Sequence, residues 1–253
     1  MEKLLFLPPL VSQHGQRVDL VIVYLHYLMV ALFFGWLAYF GFVLWRFSAK
    51  RAPKASYAGV RSHASTYLEV LVAGLETAIL VGLAIPFWAK AADQFPKESE
   101  VTVIRIAAQQ FQWNVLYPGP DGEFGKQDIQ FVSAQNSFGL DRSDPKTKDD
   151  LITLNEIHVP VNKPVIAHIS SKDVIHSFKI FPLRITQDAI PGLSIPIHFV
   201  PTAIGTYQIN CAQLCGNGHA AMAGGRLIVE SPEKFAAWVK SKSGAAPGST
   251  SYE

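Results

Sequence analysis

Four side chains that bind soft or borderline metal ions lie within twelve consecutive residues in the second half of the chain. The stretch holds both cysteines of the sequence, Cys211 and Cys215, followed by His219 and then Met222. Thiolates, an imidazole and a thioether together favour copper, whereas magnesium and calcium prefer oxygen ligands. A site for a single electron-transferring copper uses one cysteine, so the second thiolate indicates a centre of two metal ions. A short-loop disulfide between the two cysteines is the alternative.

A centre of two metal ions needs a further ligand from another part of the chain. Four histidines are candidates: His158, His168, His176 and His198. His158 and His168 lie in runs where apolar and polar residues alternate, and a histidine in such a run is more often a sheet residue than a ligand. Spacing alone favours His176 and leaves the other three open.

The composition is typical of a membrane protein that also carries an exposed domain. Of 253 residues, 49% are hydrophobic and 17% are charged, and the formal net charge is only +2. This small charge, without a cluster of basic residues and interleaved aromatics, argues against nucleic acid as a partner. Two cysteines cannot build a disulfide scaffold, and without a Cys-x-x-Cys-His motif the chain cannot attach haem covalently.

Two long apolar runs in the first third of the chain predict a pair of membrane-spanning helices. The runs are Leu20–Trp45 and Val70–Trp88, and each is long enough to cross a hydrocarbon core of about 30 Å. We therefore expect helices over about 20–45 and 67–89, joined by a loop over 46–66.

The charges of this loop predict the orientation of the hairpin. The loop has five basic residues and no acidic one: Arg46, Lys50, Arg51, Lys54 and Arg61. By the positive-inside rule such a short basic loop is cytoplasmic. A hairpin domain over 18–90 then has both its ends on the outer side, together with an N-terminal segment over 1–17.

From about residue 91 the pattern changes to short alternating runs separated by turn residues, which is typical of a β-sandwich or small barrel. The predicted strands are Val101–Ala107, Ile129–Val132, Leu151–His158, Val165–Ile169, Ile195–Val200, Tyr207–Cys211 and Arg226–Glu230. We expect one domain over 91–240, with a solvated insertion at Gln135–Asp150 and a short helix beginning at Pro232. The tail over 241–253 is rich in small residues and is expected to be flexible.

The metal-ligand stretch and two further motifs resemble subunit II of the haem-copper cytochrome c oxidases. The motifs are Lys172-Asp-Val-Ile-His-Ser-Phe178 and Thr186-Gln-Asp-Ala-Ile-Pro-Gly192. The resemblance extends from the membrane hairpin to Val239. It implies a two-helix transmembrane hairpin followed by an all-β, cupredoxin-like Greek-key barrel.

The resemblance also implies a set of copper ligands and therefore a dinuclear copper A centre. The implied ligands are His176, Cys211, Gln213, Cys215, His219 and Met222. Both cysteines would bridge the two ions, and His176 and Met222 would complete the coordination of one. His219 and the backbone carbonyl of Gln213 would complete that of the other.

Three positions depart from the family pattern or match it only in part. Position 213 is usually a glutamate in the family, and its carboxylate also binds a magnesium ion. This chain has Gln213 there, and a neutral amide is a poorer magnesium ligand than a carboxylate, so the presence of the magnesium ion is in question. Members often carry Trp-Tyr-Trp over the copper site, where the first tryptophan takes electrons from cytochrome c. Phe111 occupies that place here and Trp113 matches the last aromatic, so we expect this pair to mark where the electron donor docks. Core packing is the alternative for Trp113, since an aromatic residue in a strand is more often part of the core.

Two acidic residues, Asp173 and Asp188, match acids of the family. We expect Asp173 to position the imidazole of His176, because metal-binding histidines usually donate their second N–H to a carboxylate. An exposed turn acid is the alternative reading of Asp173.

Two acidic residues of the second apolar run are candidates for function, since a charge within a membrane span is costly. Alignment on Pro86 places Glu69 on the glutamate that opens a proton-uptake path in the family, although Val72 and Ala73 replace the usual Trp-Thr. An interfacial side chain is the alternative for Glu69. Glu76 stands where the family commonly has proline, and the resemblance gives it no role; it is a candidate to bind a polar group of a partner subunit.

The resemblance implies the copper-bearing subunit of a proton-pumping membrane cytochrome c oxidase. Such a subunit accepts electrons from a c-type cytochrome or similar carrier and relays them to haem and copper in subunit I, where oxygen becomes water. Subunit I and subunit III are the implied protein partners, and the lipid membrane surrounds the hairpin. A bacterial cytoplasmic membrane with the copper domain on the periplasmic side is the expected location.

Three other functions stay open from the sequence. A scaffold subunit such as that of quinol oxidases would have lost the copper ligands, which this chain retains. A copper-storage or delivery protein would bind the metal reversibly without a delocalised centre. The electron-accepting subunit of a related nitric oxide reductase would differ only in its partner subunit.

Overall fold

The structure is a computed structural model that describes residues 2–55, 57–59 and 62–242. It divides into two compact units. The first unit consists of the segment that ends at Leu7 and of Arg17–Lys90. The second unit consists of Pro8–Gln16 and of the chain from Ala91 onward. Arg61 of the basic loop and the tail beyond residue 242 lie outside the described residues.

The first unit consists of helices long and apolar enough to cross a membrane. Helix α1 spans Gly15–Arg46. The second span covers 29 residues, Ala64–Ala92. It begins as α2 (Ala64–Ile79), continues through a π-helical turn at Leu80–Ala84, and ends as α3 (Ile85–Ala92). The most apolar window of each span has none of its residues buried within the structure, as expected where the surrounding medium is hydrocarbon. The two predicted apolar helices are confirmed.

Strands are the main regular structure of the second unit, as the alternating runs predicted. The strands are β1 Thr102–Gln109, β2 Gln112–Tyr117, β3 Leu151–Leu154, β4 Glu156–Pro160, β5 Val165–Ser171, β6 His176–Ile180, β7 Ile185–Ala189, β8 Ile195–Phe199, β9 Gly205–Gln208, β10 Asn210–Cys211 and β11 Arg226–Glu230. They form sheets in the orders β3-β2-β1-β5-β8, β10-β6-β7 and β4-β11-β9. The pairs β1–β5 and β4–β11 are parallel and the other pairs are antiparallel.

The inward-facing residues of all three sheets share one hydrophobic core, which also holds the two cysteines. Trp113 and Phe178 are among its largest side chains, and their rings meet edge to face with centroids 5.4 Å apart. Because β6 carries both Phe178 and His176, packing of this core also fixes the start of the strand where the candidate ligand lies.

A C-terminal helix packs on the same unit and confirms the helix expected from Pro232. This helix, α4, spans Pro232–Lys242, and Ser231 caps its first turn by accepting a hydrogen bond from the Lys234 N–H. Trp238 stacks on the His158 ring with centroids 4.1 Å apart.

Part of the N-terminal segment belongs to the β unit. The Val11 N–H donates to the Pro182 carbonyl and the Thr202 N–H donates to the Val11 carbonyl, both at 2.9 Å. Ser12 adds a hydrogen bond from its hydroxyl to the Leu183 carbonyl. Pro8–Gln16 therefore belongs to the β unit. The sequence had predicted a separate outer segment over 1–17.

Three predicted strands differ from the structure. Tyr207–Cys211 was expected to be one strand, but it is divided between β9 and β10, which belong to different sheets. Ile129–Val132 was expected to be a strand, but Ile129–Phe131 is a 3-10 helix, because the Asp128 carboxylate accepts a hydrogen bond from the Gln130 N–H and starts a turn. Leu151–His158 was expected to be one strand, but it is two, β3 and β4. Asn155 separates them with a positive φ of 58°, a conformation that asparagine tolerates better than most residues.

The insertion at Gln135–Asp150 is less solvated than expected. Leu140, Thr147 and Asp150 are buried. The Asp150 carboxylate accepts a hydrogen bond from the Gly125 N–H, which ties the insertion back onto the loop before it. Burial raises the pKa of Asp150 to about 6, although the hydrogen bond from the Gly125 N–H lowers it in part.

Candidate metal centre

Strands β6 and β10 bring two candidate ligands side by side, although 35 positions separate them along the chain. The strands pair antiparallel with Cys211 opposite Phe178, and the Ala212 N–H donates to the Ser177 carbonyl at 2.9 Å. This register places Cys211 Sγ 3.9 Å from His176 Nδ1. Within the described part of the chain, His176, Cys211 and Cys215 form a group whose ligand atoms all lie within 4.8 Å of one another.

The two cysteines are free thiols in the structure, with their sulfurs 3.9 Å apart. A disulfide would require about 2.05 Å. Both residues are buried. Burial raises the pKa of the Cys215 thiol to about 11, and the neighbouring Cys211 adds to the shift. A bound cation would offset this cost, because thiolates are the form that binds metal.

The remaining predicted ligands lie on the loop that follows Cys211. His219 Nδ1 is 3.4 Å from Cys215 Sγ, and the Cys211 thiol donates to the Gln213 carbonyl at 3.0 Å. Met222 is fully buried in the 3-10 helix His219–Gly224. One imidazole thus approaches each thiol, His176 at Cys211 and His219 at Cys215.

This donor set fits copper. The sulfur separation of 3.9 Å is shorter than twice a metal–thiolate bond of about 2.3 Å, so one ion can contact both sulfurs. Two thiols, two imidazoles and a buried thioether are soft and borderline donors, which suit copper better than the hard cations. The carbonyl of Gln213 at 3.0 Å from Cys211 Sγ adds one oxygen to the set.

Asp173 holds the His176 imidazole from the side away from the thiols. Its Oδ1 accepts hydrogen bonds from His176 Nε2 at 2.9 Å and from the Val174 N–H at 2.7 Å, while Oδ2 accepts from the Gln110 N–H at 2.7 Å. Burial works against ionisation of this carboxyl, yet the three hydrogen bonds together outweigh burial and lower the pKa of Asp173. With Nε2 engaged, Nδ1 of His176 is the nitrogen left to bind metal.

The loop that carries the ligands is closed at its base and packed on the β1–β2 turn. The Ile209 N–H donates to the Gly225 carbonyl at 2.9 Å, which closes the base. The Gln110 amide donates to the Cys215 carbonyl at 2.6 Å. The Phe111 ring lies so close to Gly218 that an added Cβ there would be 2.3 Å from it, so only glycine fits at this position.

The two aromatic residues of the expected docking site have different exposures. Phe111 is half-buried, whereas Trp113 is fully buried. The Trp113 indole N–H donates to the Met222 carbonyl at 2.9 Å, and the ring lies edge to face with the His176 imidazole at 6.3 Å. Trp113 therefore contacts the site from inside the core.

The other candidate histidines have different neighbours. His158 Nδ1 is 2.6 Å from a Glu230 carboxylate oxygen. His168 Nε2 is 3.8 Å from Glu98, and the His198 ring meets Phe95 edge to face at 4.8 Å. None of the three belongs to the group that the described residues form around the thiols.

Sequence reasoning missed the role of Gln110. This residue joins the Asp173 turn to the metal loop through its backbone N–H and its side-chain amide. A single glutamine carries no pattern that separates it from an ordinary strand residue. Its neighbours in the aromatic segment gave the only signal that this turn lies near the site.

The fold and the donor set define a protein with membrane-spanning helices and a cupredoxin-like β domain that carries a copper-type ligand cluster. Residues 102–231 match the family described as cytochrome c oxidase subunit II, periplasmic domain. The chain belongs to this family, and it is a subunit of a cytochrome c oxidase complex, an oxidoreductase.

The chain is also similar to individual relatives and to a solved structure. The chain is 31% identical over 204 residues to an alternative cytochrome c oxidase subunit 2 of Bradyrhizobium diazoefficiens, covering 80% of this chain and 72% of that one. It is 28% identical over 216 residues to cytochrome c oxidase subunit 2 of Cereibacter sphaeroides, covering 80% and 68%. Among solved structures, the periplasmic domain of subunit II of cytochrome oxidase of Bradyrhizobium japonicum matches with 27% identity and a TM-score of 0.42, covering 58% of this chain and 95% of that one.

The contacts of Asp173 predict that its charge supports metal binding. Replacement of Asp173 by asparagine should lower copper affinity roughly 10–100-fold, because the amide holds the His176 N–H less strongly. Competition with a copper chelator, followed by the absorption of the thiolate-bound metal, measures this affinity. Asp188→Asn is the matched control, since Asp188 is an exposed strand acid of the same family pattern. Equal affinities in the two variants would contradict the role of Asp173.

Proposed function

We propose that this chain is the electron-accepting subunit of a membrane cytochrome c oxidase. It receives electrons from a c-type cytochrome or similar carrier and passes them to subunit I, where oxygen is reduced to water with proton translocation. The observation that carries the proposal is the pair of buried free thiols 3.9 Å apart with one imidazole beside each. Copper bound there would supply one-electron oxidation and reduction.

The proposed ligand set is the one that the family resemblance implies, and the distances between the thiols and imidazoles are compatible with it. Cys211 and Cys215 would hold both ions, since their sulfurs are 3.9 Å apart. His176 at Cys211 and His219 at Cys215 would then serve different ions. By the same resemblance, Met222 would be a further ligand of the ion at His176, and the carbonyl of Gln213 a further ligand of the ion at His219.

Rigid support of the ligands favours rapid electron transfer. His176 and Cys211 lie on paired strands, the Asp173 carboxylate holds His176, and the Gln110 amide holds the Cys215 carbonyl. Ligands held in this way move little when the charge of the site changes. The chain therefore contributes a preformed geometry, and the redox chemistry belongs to the metal.

Phe111 and Trp113 differ in exposure, and this difference supports a contact between Phe111 and a docked electron donor. Phe111 is half-buried and its ring packs on the metal loop at Gly218. Trp113 is fully buried, so it contacts the site without reaching a partner, and we propose that it serves the electron path from within.

We propose that the hairpin over 18–90 crosses a bacterial cytoplasmic membrane and that the domain over 91–240 lies on its periplasmic side. The basic loop over 46–66 supports this orientation. Subunit I, and subunit III beside it, are the proposed neighbours of the hairpin. A magnesium ion at position 213 is not included, because the exposed Gln213 offers an amide where a carboxylate would be needed.

Loss of one thiol tests the proposed function. Cys215→Ser should abolish the spectrum of a two-copper centre and reduce cytochrome c oxidation by the whole oxidase to background, because one of the two thiolates that would hold both ions is gone. Asn217→Ser, an exposed change in the same loop, should preserve both properties. Retained turnover in Cys215→Ser would exclude the relay function.

A second test concerns Glu69, which is exposed on α2 within the first turns of the second span. We propose that it takes up protons for subunit I. Glu69→Ala should slow turnover and proton uptake by the whole oxidase at least several-fold and leave the copper spectrum unchanged, while Glu69→Asp should retain most of the rate because it keeps a carboxyl group. An unaltered rate in Glu69→Ala would make Glu69 an interfacial residue without this role.

A further inference from the structure

Three segments of the β unit surround the metal centre and form one surface, which we call the docking face: Gln109–Trp113, Ser171–Ser177 and Cys211–Met222. Gln110 joins them, since its backbone N–H bonds to Asp173 and its side chain bonds to the Cys215 carbonyl. The Phe111 ring closes the surface by packing on the backbone at Gly216 and Gly218. A partner that approaches the thiols by the shortest route must contact this face.

The docking face carries few charges, and their signs balance. Its three segments contain one lysine and one acid, Lys172 and Asp173. The Lys172 ammonium donates to the Ser133 carbonyl at 2.6 Å. Both oxygens of Asp173, an exposed residue, accept hydrogen bonds within the site. The face therefore has no excess of either sign, and both of its charged groups have partners within the protein.

The face exposes several apolar side chains. Leu214, between the two cysteines, is 77% exposed, and Ile175 and Val174, directly before the candidate ligand His176, are 47% and 38% exposed. The exposed polar residues of the three segments are Asp173 and the neutral Gln110, Gln213 and Asn217. Single exposed apolar residues are common on protein surfaces, but several grouped around a functional site indicate a contact surface.

Asp188, the acid nearest to His176 in strand register, adds no charge to the docking face. Asp188 on β7 pairs with Ser177 on β6, one position beyond His176. Side chains alternate along a strand, so Ser177 and Asp188 point to the face of the sheet opposite to that of His176. Asp188 is exposed there, away from the thiols.

We propose that the docking face binds an electron-carrier protein whose own cofactor edge is ringed by uncharged, apolar residues, so that burial of apolar surface and not charge attraction holds the pair. The inference rests on the proposed function and specifies its donor. Charged interfaces owe their association rate to attraction that salt screens, whereas apolar burial lacks this dependence.

The salt dependence of donor binding tests the inference. The probes are two small soluble c-type cytochromes, one strongly cationic and one of near-zero net charge, added to the whole oxidase that contains this chain. Binding affinity and the rate of the first electron transfer are measured while the ionic strength rises from about 0.01 M to about 1 M, where the Debye length falls from about 30 Å to about 3 Å. Both quantities should change less than about threefold for the neutral cytochrome, which should also bind more tightly than the cationic one.

A variant with an added charge makes the test specific to the face. Leu214→Glu should weaken binding of the neutral cytochrome about tenfold. The same variant should bind the cationic cytochrome at low ionic strength and lose this binding when salt is added. Ile204→Glu is the matched control, because Ile204 is 64% exposed and lies in the β8–β9 connection outside the three segments. It should leave the binding of both cytochromes unchanged.

Two results would overturn the inference. One is tight, strongly salt-dependent binding of the cationic cytochrome to the unmodified oxidase, and the other is identical behaviour of Leu214→Glu and Ile204→Glu. Failure of the proposed function is distinguishable, because binding affinity is measured separately from the copper spectrum. Salt-insensitive binding of the neutral cytochrome without a two-copper spectrum would support the docking face and exclude the electron relay.

Discussion

The proximity of two buried thiols is the constraint on which the rest of the site depends. Cys211 and Cys215 lie with their sulfurs 3.9 Å apart and away from water, where thiolates are costly. Burial, together with the neighbouring Cys211, raises the pKa of Cys215 to about 11, and a cation bound between the two sulfurs would favour its thiolate. The neighbouring imidazoles and the buried thioether complete a soft donor set around that position. Pairing of β6 with β10 is what keeps the first thiol and His176 at this place.

Supporting residues hold these ligands through contacts that do not themselves involve the metal. Asp173 orients one imidazole, Gln110 connects two of the surrounding segments, and Gly218 allows the Phe111 ring to lie directly on the loop. The same arrangement leaves an outer surface with one lysine and one acid, both of which form hydrogen bonds within the protein. One set of contacts therefore explains both the rigidity of the candidate centre and the apolar character of its surroundings.

Local patterns in the sequence were sufficient for the membrane helices, the metal loop and the strands β1, β5, β8 and β11, whereas β2, β6 and β7 were not among the predicted strands. The apolar runs and the Cys211–Met222 spacing are each contained in one stretch of chain, so their meaning does not depend on distant partners. His176 was only one of four candidates until the family resemblance was considered, because the β6–β10 register that brings it to Cys211 is a long-range contact. The break at Asn155 was also missed, since its carbonyl and side chain are held by Arg226 and Trp113 from other strands. Gln110 was missed for the same reason.

The number of metal ions that the thiol pair holds is the central claim, and electron paramagnetic resonance of the copper-loaded full-length chain tests it most directly. The account predicts a hyperfine pattern from one unpaired electron shared equally by two copper nuclei, with two coppers bound per chain. A pattern from a single copper nucleus, or a chain isolated with Cys211 and Cys215 joined as a disulfide and unable to take up copper, would contradict it.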